Sequence, residues 1–189
     1  MIKVIGPKDP KNPAAVNTTS RSNTWSRELS PFFLGPVVLY GYYKAKNVEN
    51  AWQRSKVYAE HVGPDGLPNE HYWTWAIAGW NNPRAERYPM GKGRKPEFSW
   101  WDGEKFSYVE ARKKIYAPLY AGAVIQTAAY QKLKDMANEG DVVLWDFDGY
   151  DHRVLGMTLK DVINDPIRKC GHGFILAMLL EGVLEECLV

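Results

Sequence analysis

The sequence predicts an α+β fold in which helices dominate and a small sheet completes one domain. Its 189 residues suffice for one substantial core, and a composition of 45% hydrophobic and 24% charged residues is ordinary for a globular protein. Helical periodicity covers more of the chain than runs of β-branched residues do. Both kinds of element are mixed along the chain, without an internal repeat. We expect residues 1–30 to form a polar N-terminal segment and residues 31–189 to form the domain.

Two segments have the composition of strands. Residues 37–42 are β-branched and aromatic and follow a Gly-Pro turn. Residues 141–147, which read Asp-Val-Val-Leu-Trp-Asp-Phe, predict the clearest strand of the chain. By contrast, residues 1–30 are polar and interrupted by prolines, which is typical of a loop that is either mobile or folded over a site.

The other regular segments favour helices. Pro118 predicts a kink or a break in a long helix. Ser107 and Glu110 have the spacing of a capping box, although Asp102 is an earlier possible start for the same helix. The segment around residue 75 fits either a short helix or a buried irregular stretch. The predicted helical segments are 47–60, 71–80, 103–122, 126–138 and 174–186.

Charge and cysteine content limit the classes of partner and compartment. A net charge of +2 neither demands nor excludes a nucleic-acid partner, although a dedicated DNA-binding protein is usually more basic. Cys170 and Cys187 have no metal-ligand spacing, which favours reduced thiols and a cytoplasmic location. The sequence has no signal-peptide hydrophobic region, and no apolar run approaches the ~20 residues that cross a bilayer. We therefore expect no membrane partner, and the oligomeric state stays open.

The helix predicted at 47–60 carries an unusual face. Glu49, Trp52, Gln53 and Lys56 follow the i, i+3, i+4, i+7 spacing that places side chains on one side of a helix. A buried stripe with a carboxylate, an amide and an ammonium group is costly unless these groups are paired or used. Alternatively, Glu49 and Lys56 are solvated and only Trp52 packs inward.

Acidic residues cluster where the strand at 141–147 ends. Asp146, Asp148 and Asp151 follow one another there, and sites often lie where strands give way to loops. Such carboxylates could hold a metal ion, act as acid or base, or bind a ribose. The sequence Asp148-Gly149 is typical of a turn, and we assign Asp148 that role alone.

The loop at 84–97 is locally basic. Its arginines and lysines far outnumber its two acidic residues, which suits contact with phosphate groups. A solvated surface loop would have the same composition. The cationic residues of this loop are Arg84, Arg87, Lys92, Arg94 and Lys95.

In order and spacing, these elements resemble the NADAR family of riboflavin-intermediate N-glycosidases. The resemblance extends over about residues 31–183 and consists of several weak motifs. It begins with Pro31-Phe32, the strand at 37–42 and the Glu49, Gln53, Lys56 set. It continues with Trp100 and Trp101 before a long helix, with the stretch from Asp146 to Asp151, and with Leu180-Glu181 in the terminal helix.

The resemblance implies a helix-dominated domain that hydrolyses the bond between a ribose and a nucleobase, with no metal or redox cofactor. The substrate would be a small phosphoribosyl-pyrimidine nucleotide or ADP-ribosylated guanine in nucleic acid. Glu49 and Asp151 are the expected acid and base, in either order, because this bond breaks with oxocarbenium character. Lys56 would hold a phosphate or attack an opened ribose. The expected substrate contacts are Trp52, Gln53, Trp100, Trp101, Arg84, Arg87, Arg94 and Asp146.

Two alternatives remain open. Asp151 is followed by His-Arg-Val-Leu-Gly, which lacks the tryptophan that the family has there, so the chain could bind a nucleotide or ADP-ribose without catalysis. The basic loop and the aromatic content also suit an enzyme that modifies a base of nucleic acid in the same pocket.

Overall fold

Parallel strand pairing brings the early and late parts of the sequence together. The computed structural model describes residues 1–189. Strand β8 (Val142–Trp145) lies between β1 (Ile2–Ile5) and β2 (Val16–Asn17) and pairs with both in parallel. Residues 1–30 are therefore part of the domain rather than a segment preceding it. The apolar residues Ile2 and Val4 explain this, because both are buried in the main hydrophobic core.

Two smaller sheets complete the β structure. Strands β3 (Val37–Leu39) and β4 (Tyr43–Ala45) form an antiparallel hairpin. The strand predicted at 37–42 ends early because Tyr40 and Gly41 adopt positive φ angles and turn the chain. The third sheet is antiparallel and has the order β5 (Lys56–Val57), β6 (Phe98–Trp101) and β7 (Glu104–Phe106).

The first helix is shorter than its sequence pattern predicts. Helix α1 (Val48–Gln53) begins at the Asn47 cap, whose side chain accepts a hydrogen bond from the Asn50 amide. The prediction of a helix to residue 60 is wrong beyond Gln53, because the next residues pair as β5 with β6. Lys56 is thus carried by a strand and not by the helix.

The other helices confirm most of the periodic segments. Ser107 and Glu110 form the predicted capping box. Pro118 lies in the first turn of an α-helix, and a π-helical turn at Arg112–Tyr116 interrupts the α-helical pattern directly before it. The predicted helix at 174–186 is two helices, separated near Gly182, whose φ is 72°. The helices after α1 are α2 (Glu70–Asn81), α3 (Tyr108–Ala111), α4 (Ala117–Val124), α5 (Ala128–Glu139), α6 (Leu159–Asn164), α7 (His172–Leu180) and α8 (Leu184–Leu188).

Helix α1 lies between two hydrophobic cores. Val48 and Trp52 belong to the larger core, which α4, α7, β1 and β8 build. Ala51 belongs to a smaller aromatic core with Tyr72 and Trp80 of α2. All six residues of α1 are buried, so its polar side chains are held inside the protein. The arrangement confirms the predicted single α+β domain.

No helix of this structure has both the length and the apolar character needed to cross a lipid bilayer.

Candidate functional site

A cavity of about 430 Å³ opens beside the end of β8. Helix α1 forms one wall, and the start of α7 with the turn after β8 forms another. Its size is within the range of small-molecule sites, which span about 300–1,000 Å³. The charged side chains in its lining are Glu49, Asp146, Asp148, Arg21, Lys56, Arg87, Arg112 and Lys169, and the aromatic ones are Phe32, Trp52, Tyr88, Tyr108, Tyr116 and Phe147.

Three polar side chains of the α1 wall form a connected chain. The Gln53 amide nitrogen donates to Glu49 Oε1 at 3.0 Å, and Lys56 Nζ donates to Gln53 Oε1 at 2.7 Å. The ammonium group of Lys56 also lies 4.7 Å from the centre of the Trp52 ring. Gln53 therefore fixes both charged groups, and it explains how they are accommodated in a wall that is largely closed to solvent.

Burial shifts both charged groups of this chain towards neutrality. Desolvation raises the pKa of Glu49, although the Gln53 hydrogen bond and the charge of Lys56 oppose the shift. Desolvation lowers the pKa of Lys56 to about 8, with Glu49 opposing it. Shifts of this kind concentrate at functional sites, because a carboxylate with a raised pKa is a better base at neutral pH.

Asp146 is held at the start of α7. Its Oδ2 accepts a hydrogen bond of 2.9 Å from the Gly173 amide, in the first turn of that helix. Gly171 passes so close that a Cβ atom there would collide with the Asp146 carboxylate. The side chain is 4% exposed, so the backbone of α7 and not solvent stabilises it.

His172 forms the second contact of Asp146. Its Nε2 lies 2.8 Å from the carbonyl oxygen of Thr18, which can only accept, so Nε2 carries a hydrogen. Its Nδ1 faces Asp146 Oδ2 at 3.4 Å. Asp146 Oδ2 therefore lies between the Gly173 amide and the His172 ring.

Asp148 lies at the mouth of the cavity between two cations. Its Oδ2 is 2.5 Å from Arg87 Nη2, and its Oδ1 is 3.3 Å from Lys169 Nζ. The neighbouring Phe147 ring has the guanidinium groups of Arg21 and Arg87 at 5.0 Å and 5.8 Å from its centre. The mouth therefore carries an excess of positive charge.

Arg112 supports the wall opposite α1. Its guanidinium group is buried and donates to the carbonyl oxygens of Ile163, Asp165 and Arg168. These carbonyls end α6 and begin the segment that leads to Lys169 and His172. Carbonyls at a helix C-terminus suit a cation. We infer that Arg112 positions this wall of the cavity.

Replacing Arg112 by Met is expected to lower the free energy of unfolding by ~3 kcal/mol, because it removes a buried guanidinium group that donates to one buried and two partly buried carbonyls. Urea denaturation measures the change. Lys114→Met, an exposed substitution two residues along the same helical segment, is the control and should change stability by less than about 0.5 kcal/mol. A loss below about 1 kcal/mol for Arg112→Met would contradict the supporting role.

Comparison with known proteins places the chain in a family. A family model described as a family of unknown function, DUF6939, matches residues 7–153. The chain belongs to the DUF6939 family. No curated protein and no solved structure matches it. The matched residues of this DUF6939 chain include α1, Arg87 and the turn after β8, whereas Lys169 and His172 lie beyond them.

The DUF6939 cavity brings together six of the residues predicted from the sequence. Four of them come from helix α1 and the start of β5. The polar side chains among these four form hydrogen bonds with one another instead of being solvated. The other two come from the basic loop and from the end of β8. These six are Glu49, Trp52, Gln53, Lys56, Arg87 and Asp146.

The expected pairing of Glu49 with Asp151 across one cavity is wrong. Asp151 does not line the cavity, and its Oδ2 forms an ion pair of 2.6 Å with Lys3 of β1. The turn after β8 explains this position, because Gly149 packs against Ile5 at the end of β1 and Asp151 then lies beside Lys3 of the same strand. Asp146 and Asp148 are the carboxylates that share the cavity with Glu49.

Four residues that were expected to contact the substrate do not line this cavity: Trp100, Trp101, Arg84 and Arg94. The two tryptophans belong to β6, and Trp101 packs edge-on against Tyr40 in the hairpin sheet. The backbone carbonyl of Arg84 accepts from Asn50, and the residue lies outside the cavity lining. Arg94 pairs on the surface with Glu60 at 2.7 Å.

Several lining residues escaped the sequence interpretation. Asp148 was assigned a turn role only, and its two cationic partners are 61 and 21 positions away in the chain. Tyr116 belongs to the π-helical turn, which has no simple sequence signal. Residues 1–30 were expected to be either mobile or folded over a site, and Thr19, Ser20 and Arg21 from this segment line the cavity.

Proposed function

We propose that the protein is a hydrolase that cleaves the N-glycosidic bond between a phosphorylated ribose and a nucleobase. The observation that carries the proposal is the buried Glu49 carboxylate, held by Gln53 beside Lys56 in a cavity of aromatic and cationic side chains. The resemblance to the NADAR family, whose motifs include these three residues, adds support from the sequence. ADP-ribosylated guanine and phosphoribosyl-pyrimidines are the substrate classes.

Glu49 has the properties that such a reaction needs at the anomeric carbon. As the C1′–N bond breaks, positive charge develops on the sugar, and a carboxylate in a desolvated site stabilises that charge. Glu49 then takes a proton from water while the water oxygen bonds to C1′. The raised pKa of Glu49 makes it a stronger base for this step than a solvated carboxylate.

The departing base needs a proton, and in our proposal the Asp146–His172 pair supplies it. The electron pair of the broken bond stays on the base nitrogen, and protonation of the base there or at a conjugated atom makes it a better leaving group. Asp146 lies in the cavity lining, and His172 faces its carboxylate at 3.4 Å. In this assignment Asp146 replaces Asp151 as the second acidic residue, and His172 positions it.

Lys56 has two possible roles in this scheme. As an ammonium ion, it attracts a phosphate or a ribose hydroxyl close to Glu49. As a free amine, it could attack the aldehyde of an opened ribose and form a Schiff base with loss of water. Its hydrogen bond to Gln53 and the contact of its Nζ with the Trp52 ring fix the position of the amine in both cases.

Turnover is the test of the proposal. We expect the protein to release ADP-ribose from an oligonucleotide with ADP-ribosylated guanine, or free base from a phosphoribosylamino-pyrimidine. Mass spectrometry of the products should show intact guanine or pyrimidine and one added water on the sugar product. Boiled protein and unmodified oligonucleotide are the controls. If neither substrate is cleaved across pH 6–9, the proposed activity is rejected.

One observation favours a second candidate, a protein that binds ADP-ribose without hydrolysis. The expected partner of Glu49, Asp151, is outside the cavity, and Asp146 is already engaged by Gly173 and His172. Calorimetry with ADP-ribose separates the candidates. Binding without release of base from either substrate would favour this second function, and release would reject it.

A further inference from the structure

The mouth of the cavity contains a carboxylate in an unusual position. Asp148 presents one oxygen to Arg87 at 2.5 Å and the other to Lys169 at 3.3 Å. Phosphate groups are bound by proteins in the same way, with separate oxygens facing separate cations. Arg87 and Lys169 come from distant parts of the chain, so a dedicated arrangement brings both to this point.

The side chains that line the cavity carry more positive than negative charge. Five cationic side chains line it against three carboxylates. Asp148 compensates two of those cations at once, whereas Arg21 and Lys56 form no ion pair within the protein. Cations close together in a partly desolvated cavity repel one another, and a bound anion of two or more charges would relieve this repulsion.

Asp148 is also in a position to move. It belongs to the turn between β8 and the rest of the chain, outside any helix or strand, and its side chain is 24% exposed. Rotation of this short side chain would free Arg87 and Lys169 without a change in the sheet. Partly exposed ion pairs contribute only about 0–1 kcal/mol, so a phosphate can replace the carboxylate at small cost.

We propose that Asp148 is a built-in substitute for a ligand phosphate, which holds Arg87 and Lys169 in place and gives way when a diphosphate binds. The identity of the natural ligand as a nucleotide diphosphate rests on the proposed function. The anion exchange itself depends only on the side chains of the cavity and can be measured without turnover. Because several cations face the cavity, a ligand with two linked phosphates should bind more tightly than a ligand with one.

Binding of inorganic pyrophosphate to the full-length protein at low salt tests this inference, with Trp fluorescence and calorimetry as readouts. Asp148→Asn should bind pyrophosphate about tenfold more tightly than wild type, because the competing charge is gone while the shape is kept. Arg87→Ala and Lys169→Gln should each bind it about tenfold more weakly. Orthophosphate should bind more weakly than pyrophosphate to every variant.

Arg94→Ala is the matched control, because Arg94 belongs to the same basic loop but pairs with Glu60 outside the cavity. It should leave pyrophosphate affinity within about twofold of wild type. Unchanged or weaker binding by a folded Asp148→Asn variant would overturn the inference. So would equal losses in Arg94→Ala and Arg87→Ala, or no binding to wild type at millimolar pyrophosphate. If Asp148→Asn does not fold, full affinity in Lys169→Gln overturns it instead.

The outcome is separable from that of the proposed hydrolysis. A protein that shows this pyrophosphate pattern but cleaves neither substrate keeps the anion exchange and loses the hydrolase assignment. A protein that releases base normally but lacks the pattern keeps the hydrolase assignment and loses the role of Asp148.

Discussion

Replacing Glu49 by Gln is expected to reduce turnover by about 10³-fold while leaving the protein at least as stable as wild type. The amide cannot accept the water proton or stabilise the positive sugar. Its oxygen can still accept the Gln53 hydrogen bond, so the local structure should persist. Initial rates of base release and thermal unfolding at pH 7 measure the two effects.

The stability effect has a defined dependence on pH. Burial raises the pKa of Glu49 above its ordinary value of 4.5, so the folded protein binds this proton more tightly than the unfolded chain. The associated stability is therefore present at low pH and is lost as the pH rises from 4.5 through the folded pKa. Glu49→Gln removes that loss, so the variant should be at least as stable as wild type at pH 7.

Glu60→Gln provides the control for both measurements, because Glu60 is exposed and pairs with Arg94 away from the cavity. It should keep wild-type turnover and stability. A Glu49→Gln protein that turns over within about tenfold of wild type would remove Glu49 from the chemistry. A marked fall in its stability would instead show that the carboxylate is chiefly structural.

Replacing Lys56 by Met is expected to lower turnover by about 10²-fold or more, because either role of the amine is lost while the stem over Trp52 is kept. Its effect on stability should depend on pH. Burial lowers the pKa of Lys56 from 10.5 to about 8. The buried charge therefore destabilises the folded protein fully below pH 8, and this destabilisation disappears as the pH rises from 8 to 10.5. Lys56→Met should therefore be more stable than wild type at pH 7, and the difference should shrink towards pH 10.

Lys105→Met is the matched control, since Lys105 also lies over an aromatic ring, that of Phe98, but outside the cavity. It should change neither turnover nor the pH dependence of stability. Borohydride trapping in the presence of ADP-ribose distinguishes the two roles of Lys56. A covalent adduct at Lys56 supports the Schiff base, whereas Lys56→Arg with near-normal turnover supports the electrostatic role. Full activity in Lys56→Met would reject both.

The α1 wall of the site was predictable because its signal is local. Helical spacing of Glu49, Trp52 and Gln53 predicted a shared face, and one turn of helix was enough to build it. Lys56 reached the same wall for a different reason. The chain leaves the helix after Gln53, and pairing of β5 with β6 keeps Lys56 within 2.7 Å of the Gln53 amide oxygen.

The opposite wall was not predictable because its contacts are distant in sequence. Asp151 was favoured over Asp148 by the family pattern and by the turn signal of Asp148-Gly149, yet the direction of the turn depends on how Gly149 packs against β1. No local pattern indicates which aspartate then faces the cavity. The role of the first 30 residues was equally unpredictable, because two short strands in a segment rich in prolines and hydroxyl residues give no clear strand pattern.

The Thr18–His172 hydrogen bond joins residues that are 154 positions apart. Sites closed by such distant contacts are completed late in folding, after the loop-closure entropy has been overcome. During synthesis, α1 leaves the ribosome long before its opposing wall exists. Glu49 and Lys56 must therefore remain solvated in the nascent chain and lose their water only when α7 docks. Acquisition of ligand affinity thus reports completion of the whole chain rather than of any one segment.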